Sequence, residues 1–350
     1  DCVRVDTDAC YTGLETALKW LPEKDPAFHD ALGSRPAAGP SGMKYIRYLA
    51  TNMIRALGPE GWRDKWARIA LAELRRLRFN TVGNWSEWEF AKAAAFPYVR
   101  PMSFAPRRVI RVYRDFPDVF HPDYEKDAAD YAAILKDTVD DPAFMGYFLM
   151  NEPTWAFSSE LPAVGMLYNA PACATRRELS LFLKKKYADA TALSAAWDLR
   201  TDFDQVAGGK WTAALPKAAL QDLEQFSVRM ATRYFQTLSE ACRKVDPHHL
   251  NLGMRWAGVP PAWAVEGMKS FDVFSMNCYM DKVPREVTGR IQSLLGRPAL
   301  IGEWHFGALD VGLPASGIGH LRNQVERAKA YSVYLEDAAA NPNCVGAHWF

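Results

Sequence analysis

The sequence predicts an α/β fold, a (β/α)8 TIM barrel organised as a single domain over residues 1–350. Three observations predict it. Short apolar, β-branched or aromatic runs alternate with amphipathic segments along the 350 residues, the alternation that builds a parallel sheet with right-handed crossovers. Several runs are nearly continuously apolar, as strands covered on both faces require. Two carboxylates, Glu152 and Glu303, each follow such a run directly, at the strand ends where barrels carry their chemistry.

Seven strands are visible. Leu77 to Trp85 is the first and Tyr98 to Phe104 a weaker second. Phe144 to Met150 is strong, followed by Leu250 to Trp256, Phe271 to Met280, Pro298 to Glu303 and Val345 to Phe350. Helical segments separate them. Trp62, Trp66, Ile69, Leu74 and Leu77 keep helical spacing before the first strand. Ser86-x-x-Glu89 and Thr175-x-x-Glu178 read as capping boxes. Ala128, Tyr131, Ala132 and Leu135 form one apolar face. Leu223 to Val245 is a long helix stopped by Asp246-Pro247. Leu321, Val325, Ala328, Ser332 and Leu335 form a last apolar face, stopped by Asn341-Pro342. Residues 154–215, with Trp155, Phe157, Trp197 and Trp211, read as an excursion above the barrel, because no Pro/Gly/Ser linker flanks them. Leu309 to Gly319 is a second irregular, Gly-rich stretch after a strand.

Composition narrows the function. Lys and Arg number 42 against 41 Asp and Glu, a net charge of +1, so neither duplex DNA nor an anionic membrane surface is the main partner. No run approaches the ~18–20 apolar residues of a membrane span. No signal peptide is visible, although the chain opens at Asp1 rather than Met, which makes that uninformative. Of the six cysteines, Cys2 and Cys10 lie in one polar segment and are open to pairing in an exported protein. Cys242, Cys278 and Cys344 read as buried small hydrophobes. Without a C-x-x-C pair, a Walker loop, a G-x-G-x-x-G or a G-x-S-x-G, the sequence predicts no metal and no cofactor. Gly208-Gly209 reads as a turn, His248-His249 as surface and Lys184-Lys185-Lys186 as a solvated helix face. The 12 tryptophans suit a core, and equally suit stacking on the flat faces of sugar rings.

A pair of carboxylates at strand ends, one protonated and one ionised, is the equipment of glycoside hydrolysis. With retention of configuration the two lie about 5–5.5 Å apart across the glycosidic bond. Glu152 ends Gly146-Tyr-Phe-Leu-Met-Asn151-Glu152-Pro153, and Glu303 ends Ala299-Leu-Ile-Gly302-Glu303-Trp304-His305. The pattern resembles clan A of the retaining glycoside hydrolases, in which the acid/base follows strand 4 and the nucleophile strand 7. Here they follow the third and sixth visible strands, so the resemblance implies that strand 1 lies before residue 1, with Asp1-Cys2-Val3 its last remnant. It also implies that the final helix is missing after Trp349-Phe350.

Three segments are similar to glycoside hydrolase family 50, the β-agarase family: Phe79-Asn-Thr-Val-Gly-Asn84-Trp85-Ser86, Ile301-Gly-Glu303-Trp-His305-Phe-Gly-Ala-Leu-Asp310 and Val345-Gly-Ala-His348-Trp349-Phe350. The similarity runs roughly from 43 to 350 and is weakest over 162–220. Trp304 after the nucleophile and the phrase Asn-Glu-Pro-Thr-Trp155 depart from the family's wording, which bears on substrate more than on chemistry.

The resemblance implies roles. Glu152 is the general acid/base and Glu303 the nucleophile. Asn151 binds the sugar 2-hydroxyl, Tyr279 donates to the nucleophile and Trp349 is the sugar platform. From the residues themselves, Asn277 shares a strand face with Ser275 and Tyr279. His305 binds a hydroxyl, orients Glu303 or is structural. Asn84, Trp85 and Arg255 end strands as cleft-floor groups, with Arg255 alternatively paired to a buried carboxylate. Trp155 and Trp211 stack on further sugars or pack the excursion, and Trp304 joins the tryptophans at strand ends. The expected substrate is a polysaccharide or oligosaccharide, best a β-linked galactan such as agarose. A β-galactosidase, β-mannanase, β-glucanase or non-catalytic carbohydrate-binding barrel are the rivals. The resemblance places the protein outside the cytoplasm: secreted, periplasmic or at the cell surface.

Overall fold

A computed structural model of the chain describes residues 2–22, 25–32, 42–312 and 315–350, and two units divide after Val99. In the first, β1 (Ala9–Cys10) pairs antiparallel with β2 (Tyr45–Ile46). Helices α1 (Tyr48–Leu57), α2 (Trp62–Arg76) and α3 (Trp88–Ala93) follow. Its core gathers Val5, Ala31, Ala50, Ile54 and Trp62. Helix α2 starts where the spacing predicts, but it buries Trp62 and Leu71 while Ile69 and Leu77 are exposed. The expected strand at Leu77 does not begin there. Leu77 closes α2 and Arg78 takes a left-handed φ of 61°. Only Val82 pairs, in a parallel bridge with Tyr98. Ser86 is not a helix cap either, because its hydroxyl accepts the Val3 N–H at 3.1 Å. Cys2 and Val3, expected as a strand remnant, lie outside any strand, and Asp1 lies outside the described residues.

Strand β3 (Tyr98–Pro101) spans the division between the units. In the second unit the hairpin β4 (Arg111–Tyr113) and β5 (Phe116–Pro117) precedes α4 (Tyr124–Ala132), β6 (Phe144–Phe148) and β7 (Met150–Asn151). The excursion supplies α5 (Pro162–Asn169), α6 (Ala174–Lys186), α7 (Ala190–Trp197) and α8 (Phe203–Ala207). The 29-residue α9 (Lys217–Val245) returns to β8 (Leu250–Asn251) and β9 (Met254–Ala257). Then come α10 (Ala262–Glu266), β10 (Phe274–Asn277), α11 (Arg285–Leu295), β11 (Ala299–Trp304), β12 (Gly307–Ala308), β13 (His320–Leu321), α12 (Gln324–Ala339) and β14 (Cys344–Trp349).

The strands run parallel in the order β7-β9-β10-β11-β14, and β6 pairs parallel with β8. Two backbone bonds carry the ladder across the breaks in these strands: Leu149 N–H to the Gly253 carbonyl at 2.8 Å and Leu252 N–H to the Tyr147 carbonyl at 2.9 Å. Gly253 can make the break, with φ +75° and the Phe271 ring 2.5 Å from where a Cβ would sit. The fold is therefore α/β with parallel sheets. The closed barrel expected from the sequence is not formed among the described residues. The strands are short, interrupted or reduced to a bridge, so the ladders divide into separate sheets.

Polar knots hold the excursion. Thr175 is not the cap of its helix: Asp118 accepts from Ala174 N–H (2.8 Å), Thr175 N–H (2.7 Å) and the Thr175 hydroxyl (2.6 Å). Buried Asp222 accepts from Lys186, Tyr187 (2.7 Å) and Trp197 (2.8 Å), joining α6, α7 and α9 and correcting the expectation that Lys186 is merely solvated. Buried Arg176 donates to the carbonyls of Ala170, Val206, Gly208 and Gly209, which shapes the Gly208-Gly209 turn. His249 is a clamp rather than a surface residue, bonding Asp246 at 2.9 Å and the Asp141 carbonyl at 3.0 Å. Helix α12 buries Tyr334 and Ala338 and exposes Val325, so its inner face is not the one the sequence predicts. No disulfide joins the cysteines among the described residues. Cys173, Cys242 and Cys278 are buried and Cys344 half-buried.

Candidate active site

Four parallel strands place the site. Asn151 of β7 is the register partner of Arg255 in β9, and Asn277 of β10 is the partner of Glu303 in β11. A bulge produces the second match: Met276 pairs with Ile301, and the next pair skips Gly302 to reach Glu303. Such bulges re-aim a side chain at a strand end. Gly302 is required there. A Cβ would lie 2.7 Å from Asn277 Oδ1 and 2.8 Å from Arg255 Nε, closer than any side chain tolerates.

Glu303 is buried and held at both oxygens. The Tyr279 hydroxyl donates to Oε2 at 2.6 Å, and the Arg255 guanidinium lies 3.2 Å from Oε1. Arg255, fully buried, also donates to the Gly302 carbonyl. Burial and the neighbouring Glu303 charge push the Tyr279 pKa far above its ordinary value, so Tyr279 remains a donor at any working pH.

Glu152 sits half-buried in the left-handed region at φ +40°, just before Pro153, a conformation that costs a non-glycine residue about 1–3 kcal/mol. Its N–H is tied to the Arg255 carbonyl at 3.0 Å. Asn277 donates to Glu152 Oε1 at 2.8 Å and to Asn151 Oδ1 at 3.2 Å. Burial raises the Glu152 pKa and the Glu303 charge adds to the rise, against the opposing Asn277 hydrogen bond and the Arg255 charge. One carboxylate is thus fastened between a cation and a phenol, while its neighbour is biased toward keeping its proton.

The structure brings Asn151, Glu152, Arg255, Asn277, Tyr279 and Glu303 together. His305 lies beside them, its ring 5.1 Å from that of Tyr279, and its Nε2 accepts the Ile318 N–H at 3.2 Å. Burial and Arg327 lower its pKa, which favours the neutral ring this bond needs. Trp349 packs edge-on to Trp304 at 4.6 Å with Arg327 over its face at 5.3 Å. Trp304 itself is buried and stacks on Tyr334 at 4.1 Å, so it is core rather than a sugar platform. Trp155 is likewise buried, wedged among Phe116, Trp256 and Trp263, and Trp211 is buried against Trp197. Asn84 is buried and Trp85 half-buried, both in the first unit. Sequence reasoning missed Asp115 and Arg114, which grip the loop after Glu152, and Phe157, exposed on that loop. Only contacts between distant segments mark the first two. Among the described residues, no group of three or more His, Cys, Asp or Glu side chains is placed to hold a metal, and no helix is long and apolar enough to cross a membrane.

In structure, the fold and this site place the chain beside the α/β glycoside hydrolases. No family model matches it. It is similar to Beta-agarase B of Vibrio sp. (strain JT0107), 29% identical over 95% of the chain and 37% of that protein. It superposes on the crystal structure of an agarase, AgWH50C, with TM-score 0.87 and 26% identity over 100% of the chain and 55% of that structure. The structure of PfGH50B matches with TM-score 0.85 and 27% identity over 95% of the chain and 50% of that structure. The resemblance to the β-agarases of family 50 is borne out on both sequence and structure. The chain spans about half the length of the solved relatives and about a third of the curated one.

Proposed function

We propose that this chain carries the catalytic site of a retaining β-glycoside hydrolase of clan A that cleaves a β-linked galactan such as agarose by double displacement. The observation that carries the reading is the unequal treatment of two neighbouring carboxylates. Glu303, fastened by Arg255 and Tyr279, is the nucleophile. Glu152, whose pKa is raised by burial, is the acid that protonates the glycosidic oxygen. In the first step Glu303 bonds to the anomeric carbon as the leaving sugar departs with the Glu152 proton. In the second, Glu152 takes a proton from water, which displaces Glu303 and restores the original configuration. Asn151, hydrogen-bonded to Asn277, is the residue we assign to the sugar 2-hydroxyl. The galactan is supported by similarity to proteins named beta-agarases.

A (β/α)8 barrel in one catalytic domain is supported by the sequential parallel strand order. A polymer substrate cannot cross a membrane, which supports work outside the cytoplasm. The test is the anomeric configuration of the first product, read by NMR during hydrolysis of agarose oligosaccharides. Retention is expected. Inversion, or no hydrolysis by the native protein while Glu152→Gln and Glu303→Gln behave identically to it, would overturn the assignment.

A further inference from the structure

The turn of the β4–β5 hairpin reaches the loop behind Glu152. Asp115 accepts from the Thr154 N–H at 2.8 Å, the Thr154 hydroxyl at 2.6 Å and the Trp155 N–H at 3.1 Å. Arg114, at φ +50°, donates to the Thr154 carbonyl at 3.1 Å. Between this hairpin and the start of the excursion lies an open surface cleft of about 340 Å³, lined by Arg111, Val112, Tyr113, Arg114, Glu160 and Asn169, with Arg111, Arg114 and Asn169 exposed to solvent. Its walls are joined: Tyr113 donates to Ser158 Oγ at 2.7 Å, and that oxygen also accepts the Glu160 N–H at 3.1 Å. The hairpin follows β3 and the opposite wall follows β7, so the cleft flanks the acid/base loop.

The lining has the chemistry of a hydroxyl site. A sugar hydroxyl both donates and accepts. Arg111 and Arg114 only donate, an ionised Glu160 only accepts, and the Asn169 carboxamide does both. The Asn169 group is oriented by its bond to the Gly165 carbonyl at 2.7 Å. Arg111 and Glu160 form no side-chain hydrogen bond or ion pair among the described residues. A sulfate or phosphate site would use donors alone, and Glu160 would repel such an anion. The volume falls at the small end of ligand pockets, the size class of one ring rather than a chain.

We propose that this cleft is a remote subsite for one neutral sugar of the polysaccharide, on the acid/base side of the scissile bond. It rests on the catalytic reading above for its role, but not for its ability to bind. It makes the length of the bound chain, rather than the reacting ring alone, a determinant of substrate choice.

Calorimetric titration of the Glu303→Gln protein with agarose oligosaccharides of graded length tests this. Arg111→Ala and Glu160→Ala, each added to that background, should weaken long oligosaccharides about tenfold, the loss of one charged hydrogen bond. They should leave the shortest binding oligosaccharide and the thermal melt unchanged. Unchanged affinity at every length overturns the subsite, as does an equal loss at every length or no binding at all. Turnover of an activated aryl β-galactoside by the native protein reports on catalysis separately. Length-dependent binding without turnover sinks the catalytic reading and keeps the subsite. Turnover of agarose indifferent to both substitutions does the reverse.

Discussion

Glu152 and Glu303 show how two identical side chains meet opposite surroundings. Glu152 is raised above its ordinary value near 4.5 by burial and by Glu303. The sign of the consequence follows. Below about 4.5 both folded and unfolded chains hold the proton, and the site costs nothing. As pH rises toward the folded value, the unfolded chain ionises first, and stability is lost. Glu152→Gln should therefore melt like the native protein at acid pH and above it at neutral pH, with the gap opening as pH rises. Its kcat should fall about 10²–10⁴-fold. A melting difference independent of pH would mean that Glu152 carries no raised pKa. Glu303 behaves otherwise, because it neutralises a fully buried arginine. Glu303→Ala should lose about 3–5 kcal/mol of stability by leaving the Arg255 charge uncompensated, and Glu303→Gln, which keeps an acceptor but supplies no charge, should also be destabilised, by less than Ala. Denaturant melts of the two variants decide it. The residue types of both carboxylates were readable in the chain. Their partners were not fully so: the family resemblance implied Tyr279 as a donor to Glu303 and strand alternation put Asn277 on the same face, while Arg255 stood open between cleft and ion pair until the register of β9, β10 and β11 put it against Glu303.

Strands and helices were legible to the degree that their own apolar pattern dominated. The runs near 144, 250, 274 and 299 are strands because little else can be done with such continuous apolar sequence. The run from Leu77 fails because a left-handed Arg78 and the closing turn of α2 consume its start. Both capping boxes fail for another reason. Distant partners intervene: Asp118 accepts the first N–H groups of α6, and the Val3 N–H engages the Ser86 hydroxyl while α3 is left without a side-chain cap, and local spacing has no access to such partners. The β4–β5 turn is the same kind of feature. Asp115→Ala removes three hydrogen bonds from the loop behind Glu152. It should lower kcat about tenfold or more with little change in KM for a short substrate, and Asp115→Asn, which keeps an acceptor, should recover part of it. Steady-state kinetics on an activated aryl β-galactoside separates this from general unfolding, which would lower the amount of active enzyme in both variants without restoring either.

Across the molecule, 42 basic and 41 acidic residues leave almost no net field, which fits a neutral polymer held by hydrogen bonds and ring contacts. Binding of agarose oligosaccharides to the Glu303→Gln protein should accordingly change less than about twofold between roughly 50 and 500 mM salt, since screening acts on charge. A steep decline would mark an anionic substrate. The tryptophans illustrate the division between chain and fold. That Trp85, Trp155, Trp304 and Trp349 would gather around strand ends followed from their order alone, because each lies next to an apolar run. Which of them meet solvent did not. Trp155 and Trp304 vanish into aromatic clusters built from α9, α10 and α12, while Phe157 is left exposed on the loop that follows Glu152. Order along the chain was enough for the α/β class and for singling out two carboxylates at strand ends, because those rest on local periodicity and on residue type at strand ends. The breaks in the sheet, the Arg255–Glu303 pairing, the loop grip by Asp115 and the flanking cleft required the fold. Each depends on the distance between segments far apart in sequence, and burial and hydrogen bonding are set by that distance.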